Sequence, residues 1–164
     1  MDRNELVRET YAHFGLAMYQ AQVLEHGVVN AMVYARMPER NRITRDDIDA
    51  FMGRQFENTL GVLLRDLRKC VAVPPDLVDA LAKALRIRNR LAHEYFRERA
   101  AIFMTNDGCL AMIEELQGWQ TVFADVGARL GDVVRPIGER FGITAEALAA
   151  ECEKMVAEAE GAAD

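Results

Sequence analysis

The sequence predicts an all-α protein, an antiparallel bundle of four or five helices forming one domain over residues 1–160, with a short tail at 161–164. Three observations predict it. Apolar residues recur every three or four positions through most of the chain, and no stretch alternates apolar and polar as a half-buried strand does. Proline and glycine clusters fall between the periodic segments rather than within them. With 164 residues, 51% of them apolar, one core is affordable and a second domain is not needed.

The first helix is expected from about Asn4 to Met37, where Leu6, Val7, Tyr11, Phe14, Met18, Val23, Leu24, Val28 and Met32 keep the three-or-four spacing. Gly15 and Gly27 weaken it locally and allow a neighbour to approach. His13 and His26 have no ligand spacing and read as packing or surface residues. Pro38 to Arg42 reads as a loop, and Thr44-Arg45-Asp46-Asp47 as a helix start with a capping hydroxyl and first-turn carboxylates. That placement accounts for Asp46, Asp47 and Asp49 without a magnesium site. A second helix continues from Ile48 to Val71, its end carrying Arg65, Arg68 and Lys69, which complement the helix dipole and could extend a basic surface.

Val73-Pro74-Pro75-Asp76 is the firmest boundary, since two prolines stop one helix and Pro75 suits the first turn of the next. The third helix then pauses within His93 to Arg97 or runs on to Thr105. Asn106-Asp107-Gly108 reads as a turn and cap. Leu110, Ile113, Leu116, Phe123, Val126, Leu130, Val133 and Ile137 predict a long fourth helix, which Pro136 should end or kink. Trp119 reads as a packing residue. Phe141-Gly142-Ile143-Thr144 starts a last helix to about Glu160, rich in Ala and Glu, as a covering helix or a flexible end.

The chain has no basic-then-apolar leader and no apolar run near twenty residues, so a cytoplasmic, non-membrane protein is expected. Cys70, Cys109 and Cys152 are odd in number and far apart, which argues against a disulfide framework or zinc site. Neither a glycine-rich phosphate loop, a G-x-S-x-G nor a dinucleotide fingerprint is present, so no metal and no cofactor is expected. Net charge is −6, but its distribution is uneven: residues 1–60 carry −2, residues 61–100 carry +4 and residues 101–164 carry −8. The positive balance suits weak engagement of RNA in the middle of the chain. The acidic last third keeps the protein soluble or repels RNA from the wrong face.

That middle segment holds Arg86-Ile-Arg-Asn-Arg-Leu-Ala-His-Glu-Tyr-Phe-Arg-Glu-Arg99. On a helical projection Leu77, Leu81, Ala84, Leu85, Leu91, Ala92 and Tyr95 lie within about 60° of one line, with Arg88 in the middle of the stripe. Asn89 stands roughly 100° and His93 roughly 140° away, and Arg86, Arg90 and Arg97 gather on the far side. A guanidinium cannot shed its charge, so Arg88 either makes a buried ion pair, snorkels to solvent, or faces a groove or subunit seam where an anion binds. In the last case Arg88 offers a fork of donors to phosphate, and His93 is suited to give and take protons.

Arg88-Asn89-Arg90-Leu91-Ala92-His93-Glu94-Tyr95 resembles the R-N-x-x-A-H-x-Y form of the Arg-x4-6-His motif of the HEPN superfamily. Members are small, helical and usually dimeric, and many are metal-independent endoribonucleases, including toxins paired with a nucleotidyltransferase antitoxin. The resemblance implies a homodimer with motif helices facing across the interface. It also implies RNA as substrate, cut by 2′-hydroxyl attack to leave a 2′,3′-cyclic phosphate. His93 would handle protons, Arg88 would stabilise the phosphorane and Asn89 would orient one of them. Arg86 and Arg90 would hold the substrate. One histidine cannot easily be acid and base in one step, and two copies across a dimer can. Tyr95 is a core ring by its stripe position. By the resemblance it is the hydroxyl that a cognate nucleotidyltransferase antitoxin would modify. Two alternatives stay open: a non-catalytic helical module for nucleotide binding or protein–protein interaction, and a scaffold whose likeness is accidental.

Overall fold

A computed structural model describes residues 1–36 and 60–161 of the chain. Among them are six α-helices and no strand: α1 (Arg3–Arg36), α2 (Leu60–Cys70), α3 (Pro75–His93), α4 (Tyr95–Phe103), α5 (Asn106–Glu139) and α6 (Ala145–Gly161). The fold is an all-α bundle, as the periodicity predicts. The expected loop at Pro38–Arg42, the helix start at Thr44 with Asp46, Asp47 and Asp49, the first half of the second helix and the tail beyond Gly161 lie outside the described residues.

Each helix of 34 residues, α1 and α5, is about 51 Å long. They run parallel, a departure from the expected antiparallel arrangement, and pack more extensively on each other than any other pair. Contacts along their length fix the register. Arg3 donates to the Thr105 carbonyl at 2.9 Å and to that of Phe103, His13 meets Gln117 and Gln120, and Tyr34 lies against Gly138. The start of α1 is a capping box: the Glu5 N–H donates to Asp2 Oδ1 at 2.9 Å and the Asp2 N–H to Glu5 Oε2 at 2.7 Å. Helix α3 lies against both, and α2 packs on α1 and α3. The shared core includes Leu24, Val28, Met32, Leu67, Leu77, Leu81, Leu116, Phe123 and Leu130. Among the described residues no helix is long and apolar enough to cross a membrane.

The sixth helix arises because the expected third one breaks. Glu94 has φ −131° and ψ −24°, outside the helical range, and α4 restarts at Tyr95. The restart places Tyr95 and Phe96 on the first turn of α4. With the break both join a cluster with Tyr11, Phe14, Phe103 and Trp119, at ring-centroid separations of 4.8 to 5.8 Å.

Asn106-Asp107-Gly108 is not a turn but the first turn of α5. The cap is Thr105, whose Oγ1 accepts the Gly108 N–H at 3.0 Å. Helix α5 runs through Pro136 to Glu139, so the proline sits inside its last turns. Gly142, at φ +79°, then reverses the chain, with the Ile143 N–H reaching back to the Gly138 carbonyl at 3.1 Å. Helix α6, which starts one residue after Thr144, buries none of its side chains.

Candidate functional site

Helix α3 carries the motif, and its buried sector decides where each motif side chain points. Leu77, Leu81, Ala84, Ile87 and Leu91 are buried, while Leu85 is only partly so and Ala92 is exposed. The true centre of the stripe is therefore rotated by about 40° from Arg88 toward Ile87 and Leu91. Arg88 stands on the shoulder of the apolar face rather than in its middle.

From that shoulder Arg88 reaches α1. Its Nε lies 2.8 Å from Glu25 Oε1, with the two side chains 28% and 17% exposed. Glu25 Oε1 is buried and receives no hydrogen bond of proper geometry. The contact is thus a close charge pair whose N–H is poorly aimed, and attraction rather than a directed bond holds it. The buried-ion-pair reading of Arg88 is what the monomer contains. It does not consume the guanidinium, because Nη1 stays on the side of Asn89 Oδ1, 3.4 Å away, a long hydrogen bond.

Arg86, Arg88, Asn89, Arg90 and His93 line one open groove of 550 Å³, closed on its other side by Gly61 of α2 and at its end by Glu94. Arg86, Asn89 and His93 are exposed. No ion pair or hydrogen bond engages the exposed His93 among the described residues. Asn89 and His93 are four residues apart and share a helix face. The groove can thus present an amide donor, a proton carrier and a guanidinium to one anionic group.

Arg90 is drawn partly elsewhere. Its Nε bonds Glu98 Oε2 at 2.7 Å, its Nη1 is 3.7 Å from Glu115, and its guanidinium lies 5.4 Å over the Trp119 ring. Arg99 completes the network with a two-pronged bond to Glu115 at 3.1 and 2.7 Å. The Arg90 hydrogen bond holds the Glu98 carboxyl below the usual range. This network ties α3 and α4 to α5 across the break at Glu94, so Arg90 has a structural duty beside its place in the groove wall.

Tyr95 is in the core, 1% exposed, stacked on Phe14 and donating its hydroxyl to the Met112 carbonyl at 3.3 Å. Burial, with the nearby Glu115, pushes its phenol above the ordinary value. The core reading of Tyr95 is the one this arrangement contains, and a modifying enzyme would meet the hydroxyl only with α4 lifted away.

Sequence reasoning missed Glu25 and Glu94. For Glu25 a signal existed: an acid on the flank of the first helix is a natural complement to an arginine on an apolar stripe. No group of three or more His, Cys, Asp or Glu able to hold a metal ion occurs among the described residues. When the chain is compared with protein-family models, curated proteins and solved structures, nothing matches it in any of the three.

Proposed function

We propose that the chain is a HEPN-type, metal-independent endoribonuclease acting as a homodimer, in the class of toxins and defence effectors. The observation that carries this reading is the common groove of Arg88, Asn89 and His93 on one rigid helix. In the reaction a neutral His93 takes the 2′-hydroxyl proton as that oxygen attacks phosphorus. The bond to the 5′-oxygen breaks, and a protonated His93 from the second protomer gives its proton to the leaving oxygen. Arg88, and Arg86 beside it, neutralise the charge that builds on the phosphorane oxygens, and Asn89 orients the phosphate. The products are a 2′,3′-cyclic phosphate and a 5′-hydroxyl, and DNA, lacking the nucleophile, is left intact.

A second protomer also has a surface to use. Helix α1 exposes Ala12, Leu16, Tyr19 and Val23 as an uncharged face on the side of the helix away from Glu25, an apolar stripe open to a partner. A nucleotidyltransferase partner belongs to this reading as a protein that engages the chain with α4, and Tyr95 on it, displaced from the core.

One observation favours the competing reading, a non-catalytic module: the Arg88–Glu25 pair gives the arginine a structural reason to exist. The deciding experiment incubates cellular RNA with the purified protein in EDTA beside His93→Ala. Cutting that survives EDTA, leaves cyclic phosphate ends and vanishes in the variant supports the nuclease. Intact RNA with both proteins folded, and wild type shown by mass to be unmodified, supports the binding module.

A further inference from the structure

The groove at the motif does not end at Gly61 and Leu85. The same two residues stand in the wall of a second groove of 430 Å³ that continues between α2 and α3. Leu64, Val78 and Leu81 line its apolar part, and Arg65, Arg68 and Lys69 line its basic part. From the level of Val78 to His93 the combined furrow follows about 22 Å of α3, the length of a short single-strand site of roughly four nucleotides.

The charge of this extension is positive after its own pairing is counted. Asp66 lies 2.7 Å from Lys69 Nζ and 3.7 Å from Arg65 Nε, offsetting one of three cations. Arg65 and Lys69 remain 66% exposed despite it, and Arg68 is exposed as well. Among the described residues that line either groove there is no Phe, Tyr or Trp. Such a surface follows a phosphate backbone, so it suits a sequence-tolerant, salt-sensitive partner.

We propose that the α2/α3 furrow is a binding track for single-stranded RNA, with Arg65, Arg68 and Lys69 holding phosphates that flank the one at Arg88 and His93. The position of the cut phosphate rests on the nuclease reading above; the track itself does not. A single strand is favoured over a duplex because two narrow grooves end to end admit one backbone. In-line attack by a 2′-hydroxyl also needs a nucleotide free of A-form stacking.

The test measures binding apart from cleavage. The probe is a fluorescent 12-nucleotide single strand of 2′-deoxy sugars, which lacks the nucleophile, titrated by anisotropy from 50 to 200 mM salt. Wild type, Arg65→Gln/Arg68→Gln/Lys69→Gln and His93→Ala are compared. The triple variant changes only exposed groups, and circular dichroism verifies its fold. The proposal expects the triple variant to bind at least about tenfold more weakly at low salt and its salt slope to fall by about 1.4, the value for two lost contacts on a single strand. His93→Ala, which removes none of the flanking cations, is expected to keep the wild-type salt slope. A dinucleotide substrate, too short to reach α2, is expected to be cut equally by wild type and triple variant. Wild-type-like binding by the triple variant would overturn the track, as would no binding by wild type. A poly-glutamate peptide that binds through these cations while the oligonucleotide does not would assign the furrow to an acidic protein and overturn it too. Cation-dependent binding with no RNA cleavage by wild type would leave the track standing and remove the nuclease reading.

Discussion

A methyl group on Gly108 would lie 1.9 Å from the carbonyl oxygen of Ile102. The corner between α4 and α5 is thus closed by backbone against backbone, and no side-chain shift can relieve the overlap. Gly108→Ala is expected to cost about 2–3 kcal/mol, at the upper end of overpacking. Thr105→Ala, which removes only the cap, should cost about 1 kcal/mol. Urea denaturation of the two variants checks the order, and an equal cost would contradict the close approach.

Removing Arg88 strands a largely buried carboxylate. Arg88→Ala should destabilise the fold by about 1–3 kcal/mol, below the range for fully buried pairs because both side chains keep some solvent contact. Adding Glu25→Gln should return part of that loss, whereas cleavage should stay absent. A double-mutant cycle read for both stability and activity separates the two duties of the arginine; recovery of activity along with stability would make its role structural only.

His93 is exposed and makes no contact that the fold depends on, so His93→Ala should change stability by less than about 0.5 kcal/mol. Cleavage should fall by about 10²–10⁴, the usual worth of a positioned acid–base group. A large drop in thermal midpoint would show that the side chain is structural.

Tyr95 and Tyr34 both have phenol pKa values raised by burial. In the unfolded chain the same phenols ionise near their ordinary value of about 10. The unfolded state therefore releases protons that the folded state retains, and stability must fall as pH rises past about 10. Tyr95→Phe should flatten that alkaline loss, while costing about 0.5–1 kcal/mol at neutral pH for a long hydrogen bond to a helix carbonyl. Absorbance at about 295 nm during alkaline titration follows the phenolates; prompt ionisation of all four tyrosines in the folded protein would contradict the burial.

At the acid end the sign reverses. Glu98 has its pKa lowered, first by the Arg90 hydrogen bond, so its contribution is present above the unfolded carboxylate value and fades as pH drops through the folded one. Glu98→Gln should reduce the steepness of acid unfolding below about pH 4.3. Unchanged acid unfolding in that variant would mean that the pair is not maintained in solution.

Much of the architecture was readable because it depends on local chemistry. The Pro74-Pro75 boundary and the long periodic runs of α1 and α5 follow from ring constraints and from which side of a helix is apolar. The sequence leaves a pause within His93–Arg97 and a run on to Thr105 equally open, since no residue there is a helix breaker, and the break shows only where Tyr95 and Phe96 dock among the other rings. The start of α5 was misread because Asn-Asp-Gly has the composition of a turn, while Gly108 is set by a carbonyl six residues earlier. Glu25 could not be assigned to Arg88 from a list of residues 63 positions apart, because their meeting is made by the packing of α1 on α3.

The break at Glu94 divides the motif mechanically. Arg88, Asn89 and His93 ride on one uninterrupted helix, whereas Tyr95 belongs to the next. Swinging α4 outward about that joint would bare the phenol while the spacing of the other three stayed fixed by the helix that carries them. Access to the tyrosine can therefore change without altering the spacing of those three, while Arg90, bonded to Glu98, is the wall residue that would feel the movement.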